Sequence, residues 1–227
     1  MDSSSSILSQ ALAQYRQTIH RYNEHSWSAL SDGDLQWLVD GPTSRDEIAI
    51  TDGTRPPPAD PTAHLHRLKL KLLEIASPDI SELDLPSDYI ELMSITDGLD
   101  IEGLPFERHE RTLVASAEQT EQTLRLDPST VMGRTWIAMG LAYGAREDLA
   151  LLREMVRYKG LDVGTPWRCG GGSGEGLDIF YAYVRPTDGD YSWKVVWCGH
   201  GDTPVIFNSL ADLVSWYGAS VNSLLSG

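Results

Sequence analysis

Apolar residues recur every three or four positions along residues 7–22. Ile7, Leu8, Ala11, Leu12, Tyr15, Ile19 and Tyr22 share one face, which predicts an amphipathic helix. Trp27, Leu30, Leu35, Trp37 and Leu38 then form a bulky apolar cluster, broken at Ser31-Asp32-Gly33. Such a cluster either packs back onto a body or presents a recognition element to a partner. The run Asp52-Gly53-Thr54-Arg55-Pro56-Pro57-Pro58-Ala59-Asp60-Pro61 excludes a helix interior and favours an extended spacer. The chain thus divides into an N-terminal helical extension (1–50), a proline-rich linker (51–63) and a main domain (64–227).

The helical period returns over 64–76, where Leu65, Leu68, Leu72 and Ile75 fall on one face. A second helix is predicted over 86–96, with Pro86 in its first turn, Tyr89, Leu92, Met93 and Thr96 facing inward, and Asp97-Gly98 ending it. Asp88 and Glu91 lie early enough in it to favour the positive end of the helix dipole. Further on, a helix is predicted over 118–126, a strand over 135–142 and a helix over 147–158. Strands over 177–185 and 192–198 flank Pro186-Thr187-Asp188-Gly189-Asp190, which suits a hairpin turn, and a helix covers 209–225. This order predicts an α+β domain, an antiparallel-rich sheet packed by helices.

Charge changes the picture most. The 227 residues carry 33 Asp and Glu against 18 Lys and Arg, a formal net charge of −15. Residues 79–110 hold ten of the acids and a single arginine, Arg108. A negative field of this kind steers cationic partners, repels polyanions, and argues against gripping nucleic acid through its phosphates. It also confers solubility. The start, Met1-Asp2-Ser3-Ser4-Ser5-Ser6, carries an acid where a signal peptide has a basic region, and no apolar run is long enough to span a bilayer. The two cysteines, Cys169 and Cys198, suit neither a disulfide scaffold nor a zinc pattern, so a reducing, cytoplasmic setting and no membrane insertion are expected.

Sites for chemistry are few. Cys169-Gly170-Gly171-Gly172-Ser173-Gly174-Glu175-Gly176 has the flexibility to cradle an anion, but it lacks the Gly-Lys-Ser/Thr of a phosphate loop. It also has Glu175 where a nucleophile elbow needs glycine, so a turn into a strand is the reading. Cys198-Gly199-His200 and His64-x-His66 offer metal ligands or a nucleophile and base without further partners; the two histidines read as helix-edge residues. Glu102 with Glu107, or Asp178 with Asp190, have the chemistry of a hydrolase pair if the fold brings them together. No catalytic residue, metal or cofactor is assigned.

Ile80-Ser81-Glu82-Leu83-Asp84-Leu85-Pro86-Ser87-Asp88-Tyr89, followed by Leu92-Met93 and Thr96-Asp97-Gly98-Leu99, resembles the SUKH superfamily, which includes fungal cell-wall-assembly regulators and bacterial immunity proteins against toxins. Later features agree in order: the glycine string, the two strands and the ending Phe207-Asn208-Ser209-Leu210-Ala211-Asp212-Leu213-Val214-Ser215-Trp216-Tyr217. The helix over 147–158 and the placing of Phe207 before Asn208-Ser209 depart from the pattern. The resemblance implies a non-enzymatic protein–protein interaction domain, either a regulatory scaffold in fungal growth or an immunity protein that occludes a basic toxin. Charge density, taken separately, nominates Asp97, Asp100, Glu102, Glu107 and Glu110 as partner-binding acids and Phe106 as an apolar anchor. The competing class is a hydrolase built on one of the carboxylate or Cys/His arrangements above.

Overall fold

A computed structural model describes residues 6–29, 51–100, 112–124, 156–157, 159–171, 178–198 and 204–226. Among these are helices α1 (Ile7–Ala29), α2 (Pro61–Ile75), α3 (Ser87–Ile95), α4 (Ala117–Leu124) and α5 (Leu210–Leu224). The strands are β1 (Leu99–Asp100), β2 (Thr112–Val114), β3 (Leu161–Gly171), β4 (Asp178–Pro186), β5 (Ser192–Cys198) and β6 (Val205–Phe207). The six strands form one antiparallel sheet whose spatial order is their chain order. The mixed α+β expectation therefore holds, with an antiparallel sheet and an N-terminal helix. The predicted strand over 135–142 lies outside the described residues, as does nearly all of the predicted helix over 147–158.

The N-terminal helix runs seven residues past its predicted end because Asn23 and Trp27 continue the stripe of Tyr15 and Ile19 at intervals of four. Asn23 is fully buried and its Nδ2 donates to the carbonyl of Thr51 at 2.9 Å, a polar link on an otherwise apolar face. The stripe packs chiefly against α5, and Leu8, Ala11, Leu12, Tyr15 and Ile19 belong to the same hydrophobic cluster as Leu68, Leu92 and Leu213. The proline-rich segment between α1 and α2 is extended and tied in at several points. Thr54 bridges to Leu99, and the Arg55 backbone exchanges hydrogen bonds with the buried Thr96 hydroxyl. That segment also starts α2, since the Asp60 side chain accepts from Ala63 N at 2.9 Å and Pro61 occupies the first helical position.

After α3 the chain turns at Gly98, where φ is +89° and a Cβ would lie 2.6 Å from the Val114 carbonyl oxygen. The next helix, α4, opens with a capping box: Ser116 Oγ accepts from Gln119 N, and Gln119 Oε1 accepts from Ser116 N. Of the glycine string, Cys169, Gly170 and Gly171 are residues of β3 and continue that strand where a turn was expected; residues 172–176 lie outside the described set. Both faces of the central strands are buried. Trp167, Ile179, Tyr181, Val195 and Phe207 face the helices, while Phe180, Ala182, Val184, Val196 and Cys198 form a second cluster with Val156. No helix among the described residues is long and apolar enough to cross a membrane.

Candidate functional site

The segment Leu83–Tyr89, which holds the Leu-Pro-Ser-Asp-Tyr stretch, forms a structural knot. Leu83, Leu85 and Tyr89 are buried, and Asp88 joins three elements through one carboxylate. Its Oδ1 accepts from Tyr89 N at 2.9 Å and from the Tyr181 hydroxyl of β4 at 3.2 Å, and its Oδ2 accepts from Leu210 N, at the start of α5, at 2.6 Å. The carboxylate thus sits on the positive end of α5 and satisfies a backbone donor that the helix leaves open. Burial, reinforced by the nearby Asp88 charge, pushes the Tyr181 phenol well above its usual range, so it remains a neutral donor.

From this knot an aromatic ladder climbs to the surface. Tyr89 meets Trp167 edge to face, with centroids 4.6 Å apart; Trp167 stacks on Tyr181 at 5.5 Å; Tyr181 contacts Trp193 at 6.1 Å; Trp193 contacts Tyr183 at 4.9 Å; and Tyr183 stacks on Tyr191 at 5.0 Å. Strand register creates it, because Trp167 lies opposite Tyr181 and Tyr183 opposite Trp193. The inner end is sealed by His64, whose Nε2 lies 3.0 Å from the Tyr89 hydroxyl. At the outer end Arg185 lies over Tyr191, with its Cζ 4.7 Å from the ring centroid, and pairs with Asp79 at 3.0 Å. The same Asp79 oxygen accepts from the Tyr191 hydroxyl at 3.1 Å.

The ladder's outer half and the knot border a groove of about 420 Å³, lined by Asp84 to Asp88, the rings of Tyr181, Tyr183, Tyr191 and Trp193, and Asn208-Ser209. Two features set its shape. Gly164 lies beneath its rim: a Cβ there would overlap Ile80 Cδ1 at 2.4 Å and the Tyr191 ring at 2.6 Å. Trp193 Nε1 donates to the Asp84 carbonyl at 2.7 Å, which fixes the indole beside that residue. The Asp84 carboxylate is 97% exposed and takes Lys69 Nζ on Oδ1 at 2.8 Å; this hydrogen bond and charge hold its pKa below the usual carboxylate value.

The nominated partner-binding acids divide. Asp97 Oδ1 accepts from Ala117 N at 2.6 Å, at the start of α4. Asp100 pairs with Arg55 at 2.6 Å and accepts from the buried Tyr15 hydroxyl through its carbonyl. Both are therefore engaged within the fold around β1, while Glu102, Phe106, Glu107 and Glu110 lie outside the described residues. Asp178 and Asp190 do not meet, since they lie toward opposite ends of the β4–β5 hairpin, about 26 Å apart at strand rise. His64 is buried and His66 exposed, as expected of neighbours two apart on a helix. Cys169 and Cys198 form no disulfide and are buried in clusters on opposite faces of the sheet; burial pushes the Cys169 thiol far above its usual range, away from nucleophilic use. Glu107 and His200 fall outside the described residues. Among the described residues no group of three or more His, Cys, Asp or Glu is placed to hold a metal.

Comparison with known proteins finds no matching family model, no matching curated protein and no matching solved structure. The SUKH resemblance therefore rests on sequence features alone.

Proposed function

We propose that this protein is a non-enzymatic interaction protein with a SUKH-like domain, and that its acidic surface engages a basic protein partner as a regulatory scaffold or as an immunity protein masking a toxin. The groove is the observation that carries this reading. Tyr183, Tyr191 and Trp193 remain half-buried at its wall beside an exposed carboxylate, and tyrosine and tryptophan at a partly desolvated rim are the residues on which interfaces concentrate their binding energy. The net charge of −15 adds long-range attraction for a basic surface. Two buried cysteines that form no disulfide fit the cytoplasm that this reading expects.

Affinity capture from the source cells, followed by reconstitution with the purified partner, tests the proposal. Because Asp97 and Asp100 serve the fold, the charge-reversal variant replaces Glu82, Glu102, Glu107 and Glu110 with lysine. The reading expects a basic partner whose association slows strongly in this variant at low salt and much less at high salt. An unchanged association rate in both conditions overturns it.

A further inference from the structure

We infer that the groove beside Asp84 is a receptor for a guanidinium side chain on a basic segment of the partner, seated between the Trp193 indole and the Asp84 carboxylate. This inference rests on the interaction reading above and gives it an address.

The outer lip already shows the chemistry in the protein's own residues. Arg185 there lies over the Tyr191 ring while pairing with Asp79, a guanidinium held by one aromatic face and one carboxylate. Across the groove the same pair recurs without an internal arginine. The half-buried Trp193 is anchored by its Nε1 to Asp84, whose carboxylate is 97% exposed and has Lys69 on only one oxygen. Tryptophan is the aromatic side chain that attracts cations most strongly.

Charge favours the same occupant. Among the described residues the lining contains Asp84 and Asp88 and neither lysine nor arginine, while Lys69 reaches Asp84 and Lys194 reaches Asn208 from outside it. Among the described residues the donors on Asp88 are two backbone amides and a phenol, all neutral, so no bonded cation offsets its negative charge at the groove wall. A planar guanidinium offers donors for the open Asp84 oxygen and a flat face for the indole. The volume, about 420 Å³, holds a side chain of that length.

The test titrates the full ¹⁵N-labelled protein with a hexa-arginine peptide and with its uncharged hexa-citrulline counterpart at low salt, following the indole resonance of Trp193, assigned through Trp193→Phe. The expected result is a saturable shift of that resonance by the arginine peptide alone. Asp84→Asn, at a solvent-exposed position that leaves the fold intact, weakens binding about threefold, and Trp193→Phe about fivefold. Arginine-peptide binding that leaves the Trp193 resonance in place and is indifferent to Asp84→Asn overturns the groove as receptor while the acidic-surface reading stands. Equal binding of the citrulline peptide overturns cation recognition. Failure of the arginine peptide to bind at low salt overturns both the inference and the reading beneath it.

Discussion

The two ends of the aromatic ladder are built from the same residue types and serve different purposes. At the inner end Tyr89 and Trp167 are almost fully buried, packed edge to face and closed off by His64. At the outer end Tyr183, Tyr191 and Trp193 keep part of their surface in water and are ringed by Asp79, Asp84 and Arg185. The two carboxylates of the Leu-Pro-Ser-Asp-Tyr region differ in the same way. Asp88 spends its oxygens on three donors from three segments, whereas Asp84, four residues earlier, projects into solvent. One short stretch of chain thus supplies both an internal fastening and an external charge, and burial decides which residue does which.

Mutations can break this contrast, beginning with the largest effect. Trp167→Ala, at a site 2% exposed, is expected to cost about 3–5 kcal/mol in urea denaturation, whereas Tyr191→Ala at the outer end costs about 1 kcal/mol. Equal losses would mean that the ladder is one packing unit from core to rim. Next comes the carboxylate pair. Asp88→Ala strands the Leu210 amide and the Tyr181 hydroxyl and is expected to cost about 3 kcal/mol, while Asp84→Ala, which loses only an exposed ion pair with Lys69, lowers the denaturation midpoint slightly.

Smaller effects sharpen the same picture. A buried phenol whose pKa is raised in the fold stabilises the native state fully below its unfolded value of about 10, and loses that contribution as pH rises above it. Tyr15 and Tyr181 both have this shift, burial being its main cause, so stability is expected to hold across neutral pH and to fall above about pH 10. Tyr181→Phe gives up about 1 kcal/mol at neutral pH and makes the alkaline fall shallower, readable by denaturation at stepped pH. Last, Thr165 is fully buried opposite Tyr183 and its hydroxyl has no hydrogen-bond partner among the described residues. Thr165→Val keeps the branched shape and removes the unsatisfied group, so it is expected to raise stability by about 1 kcal/mol.

Much of the scaffold is legible in the sequence, for physical reasons. The stripes of α1, α2 and α5 follow the helical period, and Pro186–Asp190 announces the hairpin between β4 and β5. The longest strand, β3, is hidden because Gly164, Pro166, Gly170 and Gly171 read as breakers, and because two irregularities against β4 interrupt the alternation on which strand patterns depend. Strands of two or three residues, such as β1, β2 and β6, are too short to carry a period. The ladder is assembled from four stretches of chain, so no local pattern contains it. One rung was nonetheless within reach: counting outward from the hairpin turn sets Tyr183 against Trp193. The negative field was legible in bulk, but which acids face solvent was not, since the bonds of Asp88, Asp97 and Asp100 depend on partners far away in the chain.

The pairing of α1 with α5 has a consequence during synthesis. The apolar stripe of α1 emerges from the ribosome early, yet the helix that covers most of it is encoded some two hundred residues later, at Leu210–Leu224. Through that interval Leu8, Leu12, Tyr15 and Ile19 lack their principal cover, and a chain stalled before residue 210 also leaves Asp88 without the amide that anchors it to α5. The nascent protein therefore presents a sticky amphipathic helix until translation is nearly past α5, a window in which a chaperone holding α1 would decide the yield of folded molecules.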